Sequence, residues 1–179
     1  MLHVQYTGRR GGEGRIRRER DGGRVSPGRA IALGGLTVGA LDALDAIIFF
    51  GIRGVSARQI FQGIAAGLLG PSARAGGIGT VLVGVAVHFL IATVIVAVYC
   101  LASRKLPQLR RRVLLWGPIY GILAYLFMNE VVITLRFGQQ PLPPLPVLLN
   151  GLLIHMFGVG LPSALFARAV EWQGAGRKA

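Results

Sequence analysis

Four long apolar runs constrain the fold of this chain more than any other feature. They cover residues 30–52, 77–102, 113–135 and 147–169. An α-helix rises about 1.5 Å per residue, so each run can cross a hydrocarbon core about 30 Å thick. Because lipid offers no hydrogen bonds, a chain within it must satisfy its own backbone groups, as a helix does. The sequence therefore predicts an all-α fold, an integral membrane four-helix bundle over residues 30–170.

The composition agrees with a membrane protein and excludes several other classes. Of the 179 residues, 53% are apolar and 15% are charged, which is more apolar surface than a soluble domain of this length can bury. The 27 glycines would weaken soluble helices, but they allow membrane helices to pack closely. The sequence contains no phosphate-binding loop or nucleophile elbow, and Cys100 is the only cysteine. We therefore expect no enzyme, no disulfide and no cofactor.

The basic residues flank the apolar runs and predict the orientation of the helices. The net charge is +13, but the arginines do not alternate with apolar residues, so we expect the lipid bilayer as a partner and no specific nucleic acid. With the N terminus in the cytoplasm, the cytoplasmic segments hold sixteen lysines and arginines and the outer segments hold four. This distribution predicts an N-in/C-in, multi-pass protein of the inner membrane. Residues 1–29 and 171–179 would be cytoplasmic tails, the first of them basic and disordered.

A shorter amphipathic segment lies between the first two apolar runs. Ser56 and Gln59 have the spacing of a capping box, and Gly70 with Pro71 would end the helix. The segment is too short to span a bilayer, so residues 56–69 are predicted to form a helix at the outer interface or against the bundle. The proline-rich residues 139–146 predict a short rigid loop before the fourth span.

Seven polar or ionisable residues inside the predicted spans are the candidate functional residues. An ionisable group at the centre of a membrane helix costs roughly 2.5–3.5 kcal/mol on insertion scales, so each one requires a structural or functional reason. All seven lie in the middle or the outer half of the predicted bilayer. They are Asp42, Asp45, His88, Asn129, Glu130, Asn150 and His155.

Small residues share the helix faces of three of these groups. The pairs at helical spacing are Gly39 with Asp42, Gly84 with His88 and Gly151 with His155. Small residues beside a polar one predict that the polar group faces a neighbouring helix and not lipid. In such contacts the carboxylates could pair with the histidines, or with Arg53 and Arg136 near the outer helix ends.

These intramembrane groups are open to four interpretations. They could fix the register of the helices, or they could form a proton relay, because carboxylates and histidines exchange protons. A haem between His88 and His155 would make the protein coloured. A metal site would use ligands of suitable type, although no compact metal motif exists and we expect no metal. Its candidate ligands are Asp42, Asp45, His88, Glu130 and His155.

The second half of the chain resembles a known family. The stretches HFLIATVIVAVYCLASR from His88 and WGPIYGILAYLFMNEVV from Trp116, followed by a proline-rich turn and NGLLIH from Asn150, are similar to the YagU-like proteins. The resemblance covers about residues 77–170. It implies a small, multi-span protein of the bacterial inner membrane connected with acid resistance, and it implies no catalytic residues.

Two functions are therefore predicted. The first is a role in proton or pH homeostasis, or in acid-stress tolerance, through the intramembrane carboxylates and histidines. The alternative is a non-catalytic structural or accessory subunit, present as a homo-oligomer or bound to another membrane protein. Two Gly-x-x-x-Gly pairs, Gly35 with Gly39 and Gly117 with Gly121, could serve such a partner or the internal bundle.

Overall fold

The computed structural model describes residues 25–172, and this part of the chain is helical. The helices are α1 (Pro27–Gly51), α2 (Ala57–Leu69), α3 (Ile78–Lys105), α4 (Val113–Phe137) and α5 (Leu145–Ala169). Of these, α1, α3, α4 and α5 are long and apolar enough to span a membrane. The prediction of an all-α protein with four candidate membrane spans is confirmed, and the chain is a multi-pass helical membrane protein.

The outer surface of the bundle is apolar, and its interior is lined by small side chains. Leu36, Leu114 and Leu135 are 58%, 78% and 83% exposed. Between 17% and 22% of the most apolar stretch of each spanning helix is buried inside the protein. A soluble protein rarely exposes so much apolar surface, whereas lipid tails cover it at no cost.

Helix α1 packs on α3 through glycines. A β-carbon at Gly35 would lie 2.3 Å from the hydroxyl oxygen of Thr93, and one at Gly39 would lie 2.6 Å from the ring of Phe89. The two helices therefore approach more closely than any larger side chain would allow. The first Gly-x-x-x-Gly pair is thus buried in a contact inside the bundle.

Helix α4 packs on α5 even more closely. A β-carbon at Gly121 would lie 1.9 Å from the carbonyl oxygen of His155, and one at Gly117 would lie 2.9 Å from the α-carbon of Leu161. On the facing helix, a β-carbon at Gly160 would lie 2.1 Å from the Gly117 carbonyl oxygen. The second Gly-x-x-x-Gly pair is therefore also used within the bundle.

Helix α2 begins at the predicted capping box and packs against the bundle. The Ser56 hydroxyl accepts a hydrogen bond from the backbone N–H of Gln59, and the Gln59 side chain accepts one from the Ser56 N–H. A β-carbon at Gly84 of α3 would lie 1.9 Å from the carbonyl oxygen of Phe61 on α2. The side chain of Gln62 donates to the Gly76 carbonyl and lies 3.2 Å from the Thr80 hydroxyl, which ties α2 to the start of α3.

The bundle has two ends, which we name the termini end and the α2 end. At the termini end, α1 begins, α5 finishes and the α3–α4 connection lies; α2 and the loop before α5 mark the opposite end. The Val25 N–H donates to the Ala169 carbonyl at 3.0 Å, and the Glu171 N–H donates to the Val25 carbonyl at 3.1 Å. The start and the finish of the described chain are therefore joined at the termini end.

Part of the predicted N-terminal tail belongs to the bundle. Residues 25–29 were expected in the tail, but α1 begins at Pro27 and Val25 pairs with the segment after α5. Proline suits the first turn of a helix, because the N–H that it lacks would have no partner there. The tail predictions for residues 1–24 and 173–179 lie outside the described residues.

Candidate functional site

A cavity of about 670 Å³ occupies the half of the bundle nearer the α2 end. All five helices contribute to its wall, which is mainly apolar. The polar and charged side chains in the wall come from α1, α3, α4, α5 and the segments beside them. They are Asp42, Arg74, His88, Asn129, Arg136, Gln140 and His155. The cavity therefore has the character of a ligand-sized site, apolar with a few convergent polar groups.

Four of the seven predicted residues meet in this cavity at one depth. Asp42, His88, Asn129 and His155 come from four different helices. Each lies eight to ten residues from the α2 end of its helix, which places all four roughly 12–15 Å from that end at about 1.5 Å per residue. This depth corresponds to the middle of a hydrocarbon core.

His88 is held by the backbone of α1. Its Nε2 atom lies 2.9 Å from the Gly39 carbonyl oxygen. Because a carbonyl only accepts hydrogen bonds, Nε2 carries a proton and donates it. Edge-to-face contacts with Phe61 and Phe89 hold the ring on two sides. Nδ1 of His88 has no hydrogen-bond partner within residues 25–172, so it remains available to accept a proton.

His155 is held in an equivalent way within its own helix. Its Nδ1 atom lies 2.9 Å from the carbonyl oxygen of Gly151, one turn earlier, so Nδ1 carries the proton. The ring makes an edge-to-face contact with Tyr125 at a centroid distance of 5.3 Å. Nε2 of His155 has no hydrogen-bond partner within residues 25–172, so this nitrogen can accept a proton.

Two π-helical segments border the cavity, one in α4 and one in α5. They cover Phe127–Ile133 and His155–Gly160. In the first, the amide of Asn129 donates to the Tyr125 carbonyl at 2.9 Å. Side-chain bonds of this kind, like that of His155 to Gly151, compete with the regular ladder and accompany bends or widened turns. Such π-helical turns are frequent at functional sites, and both of these place polar side chains in the cavity wall.

Asp42 is the carboxylate of the cavity. It is half-buried, and it forms no hydrogen bond or ion pair with any side chain of residues 25–172. A carboxylate in a mainly apolar environment costs free energy unless it is protonated or solvated. Asp42 is therefore a carboxylate in the cavity wall whose charge no side chain of residues 25–172 stabilises.

Three predicted residues lie away from the cavity. Asp45 accepts a hydrogen bond of 2.7 Å from the side chain of Asn150, which joins α1 to α5. Glu130 is exposed on the surface of α4. The seven candidate residues therefore divide into four in the cavity wall, two in a hydrogen bond between α1 and α5, and one surface carboxylate.

The predicted charge partners bind backbone carbonyls. Arg53 donates to the Phe49 carbonyl at 2.6 Å and stacks on the Phe49 ring at 3.6 Å. Arg136 donates from Nε to the Gly67 carbonyl, which connects α4 to α2. Across residues 25–172, Asp42, Asp45 and Glu130 form no ion pair with either arginine or with a histidine.

Sequence reasoning missed two polar side chains of the cavity, Arg74 and Gln140. Both lie in the short segments beside the spanning helices, where no periodicity indicates which way a side chain faces. In the sequence, Arg74 is one of the four basic residues counted in the outer segments, and nothing there indicates that it lines a cavity. Only the packing of α2 over α3 shows that this segment borders a cavity.

The metal interpretation has no support in the geometry. Within residues 25–172, no three His, Cys, Asp or Glu side chains are grouped so as to hold a metal ion.

Comparison with protein-family models, curated proteins and solved structures gives no significant match. The resemblance to the YagU-like family therefore stays a prediction.

Proposed function

We propose that the protein binds and exchanges protons through the cavity, in a bacterial inner membrane and with both termini in the cytoplasm. In this proposal Asp42, His88 and His155 are the proton-binding groups, and the role is pH homeostasis or acid-stress tolerance. The supporting observation is the convergence of these three titratable side chains, from three helices, on one cavity at one depth.

The free ring nitrogens provide the chemical step. His88 and His155 each keep one N–H on a backbone carbonyl and have a second nitrogen that can accept a proton. Asp42 provides a carboxylate with no cation beside it in the described chain. Water in the cavity could carry a proton between these groups, whereas Asn129 can orient water but cannot titrate.

The cavity extends from the middle of the bundle to the α2 end. It extends toward Arg74, Arg136 and Gln140 at the α2 end. Toward the termini end, the bundle is closed by Tyr120, whose hydroxyl donates to the Ile95 carbonyl at 2.7 Å. In the predicted orientation the α2 end faces outward, so the groups would take up protons from the outer side. Release toward the cytoplasm requires an opening of the termini end.

Proton flux in proteoliposomes tests the proposal. Purified protein is placed in vesicles that contain a pH-sensitive dye, and a potassium gradient with valinomycin drives protons inward. We expect Asp42→Asn to lower the flux roughly tenfold or more, since loss of a general acid–base group typically costs 10²–10⁴ in proton-transfer rate. Absence of flux in the unmodified protein, or equal flux in Asp42→Asn, would overturn the proposal.

Asp45→Asn is the matched control. It makes the same substitution on the same helix, one turn away, and the asparagine oxygen can still accept the hydrogen bond from Asn150. Asp45 does not line the cavity, so its variant should retain the flux. Equal losses in both variants would show that any change of charge in α1 disturbs the protein, and that the cavity is not the pathway.

The accessory-subunit function remains the second proposal, and Glu130 favours it. This carboxylate is exposed on the side of a membrane-spanning helix and forms no hydrogen bond or ion pair within the described residues. A charge that faces lipid is costly, and a partner helix with a basic or hydrogen-bonding side chain would remove that cost. Sedimentation of the protein in mild detergent tests this. A complex that Glu130→Leu dissociates supports the proposal, and an unchanged monomer contradicts it.

A further inference from the structure

Two arginines converge on the α2 end of the cavity. The guanidinium carbons of Arg74 and Arg136 lie 5.7 Å and 5.8 Å from the centroid of the same ring, that of Phe137. Both side chains line the cavity. Neither forms an ion pair with a carboxylate of residues 25–172. Proton exchange through Asp42, His88 and His155 does not involve either arginine.

Like charges that converge on a site without a counterion are typical of an anion-binding site. Arg136 is fixed by the bond from its Nε to the Gly67 carbonyl, and its two terminal nitrogens form no hydrogen bond within residues 25–172. Guanidinium groups bind phosphate oxygens with charge-assisted and often bidentate hydrogen bonds. Both arginines are exposed, so an anion can reach them.

The apolar wall of the cavity is at least as long as one membrane leaflet is thick. Its wall includes Ile60 and Ile64 of α2, Val87 and Ile91 of α3, and Val132 of α4. From the α2 end to the depth of Asp42 is roughly 12–15 Å, which is half of a hydrocarbon core about 30 Å thick. An acyl chain whose headgroup lies at the arginines would therefore end near Asp42 and the two histidines.

We propose that the cavity binds one anionic phospholipid, with the phosphate between Arg74 and Arg136 and an acyl chain along the apolar wall. This binding goes beyond proton exchange and does not require it. An acyl chain in the cavity would exclude water from His88 and Asp42. If the protein conducts protons, bound anionic lipid is therefore expected to lower the proton flux.

Retention of lipid in native mass spectrometry tests the proposal. The purified protein is exchanged into detergent with phosphatidylglycerol or with phosphatidylcholine of identical chains. We expect one phosphatidylglycerol per protein, and weaker retention of phosphatidylcholine. The double variant Arg74→Gln, Arg136→Gln should weaken retention of phosphatidylglycerol roughly 10- to 30-fold, since each basic residue contributes about a factor of five to anionic lipid binding. Equal retention of the two lipids, or by the variant and the unmodified protein, would overturn the proposal.

Arg53→Gln is the control for loss of positive charge. Arg53 lies at the same end of the bundle and is exposed, but its guanidinium is on Phe49 and does not line the cavity. This variant should retain phosphatidylglycerol as the unmodified protein does. An equal loss would show attraction by the general charge of this end, and would contradict a site at Arg74 and Arg136.

Two further measurements separate a lipid from a free anion. Ile91→Trp fills the apolar wall and leaves both arginines in place, so it should displace the lipid. Full retention by this variant, or complete displacement of the lipid by millimolar inorganic phosphate, would show that only the arginines matter and would refute the acyl-chain site. The lipid retention measurements use no proton gradient. Their outcome is therefore independent of whether the protein exchanges protons.

Discussion

The two halves of the bundle are built differently. Near the termini end, Val96, Tyr99 and Cys100 are almost fully buried, and the Tyr99 and Tyr120 rings stack edge to face at 4.9 Å. Near the α2 end, α2 covers a cavity of about 670 Å³ with polar groups in its wall. The same helices pass through both halves. The comparison teaches that large buried side chains fill the space between the helices in one half, whereas in the other half the helices enclose a cavity.

The largest expected effect on stability comes from replacing a glycine in a close helix contact, compared with a glycine at which an added β-carbon would have no near neighbour. Gly121→Ala should destabilise the protein by about 3 kcal/mol, because its β-carbon would lie 1.9 Å from a backbone oxygen that cannot move freely. Thermal unfolding in detergent measures the change. Gly63→Ala is the control, since Gly63 lines the cavity and nothing lies within 4 Å of its added methyl group. If both variants unfold alike, the close approach of α5 to Gly121 does not contribute to stability.

A smaller effect is expected at the hydrogen bond that closes the termini end. Tyr120→Phe removes the donor to the Ile95 carbonyl and should cost about 1 kcal/mol. Tyr125→Phe is the control, because the Tyr125 hydroxyl makes no hydrogen bond within residues 25–172 and its ring contacts are kept. Chemical denaturation compares the two. Equal stability of the variants would mean that the Tyr120 bond does not hold this half closed.

The attachment of α2 should depend on Gln62. This buried side chain bonds to the Gly76 carbonyl and to Thr80, so Gln62→Leu should loosen α2 without unfolding the bundle. Hydrogen exchange of α2 amides should accelerate roughly tenfold, while α3 and α5 keep their protection. Gln140→Leu, which removes only bonds to carbonyls two and three residues away, should leave α2 unchanged. Uniform acceleration in every helix would show that the two halves unfold together.

The smallest effect is expected for the substitution Asp45→Asn. Asp45→Asn keeps an oxygen that can accept from Asn150, so stability should change by less than about 0.5 kcal/mol. Asp45→Leu removes the acceptor and leaves the Asn150 amide unpaired, which should cost about 1–2 kcal/mol. Thermal unfolding of the two variants distinguishes them. Equal and large losses of stability in both variants would show that the negative charge of Asp45 stabilises the protein in a way that the hydrogen bond with Asn150 does not explain.

Much of the fold was predictable because its signals are local. Ser56 and Gln59 predict the start of α2 by their spacing alone, and the structure has both bonds of the capping box. The glycines beside His88 and His155 predicted close helix contacts, and Gly84 and Gly151 do lie against neighbouring atoms. The tail boundary was placed too late, because the arginine at position 29 resembles the polar tail and conceals the helix start at Pro27.

The sequence predicted which types of residue form the candidate site, but it did not predict which individual residues line the cavity. Asp42 and Asp45 look alike in the sequence, yet one lines the cavity and the other bonds to Asn150. Their separation follows from how α1 is turned about its axis when Gly35 and Gly39 contact α3. The widened turns at Asn129 and His155 shift the facing of later residues, and no periodicity in the sequence reports them.

The sequence by itself determined that this protein is a set of apolar helices, because helix length and hydropathy depend only on consecutive residues. It also determined which ionisable groups lie inside the candidate spans and how far each lies from the end of its helix. Only the tertiary structure decided that Asp42, His88 and His155 share a cavity with Arg74 and Arg136, whereas Glu130 faces outward. The reason is physical: depth follows from position along a helix, but facing follows from how neighbouring helices pack.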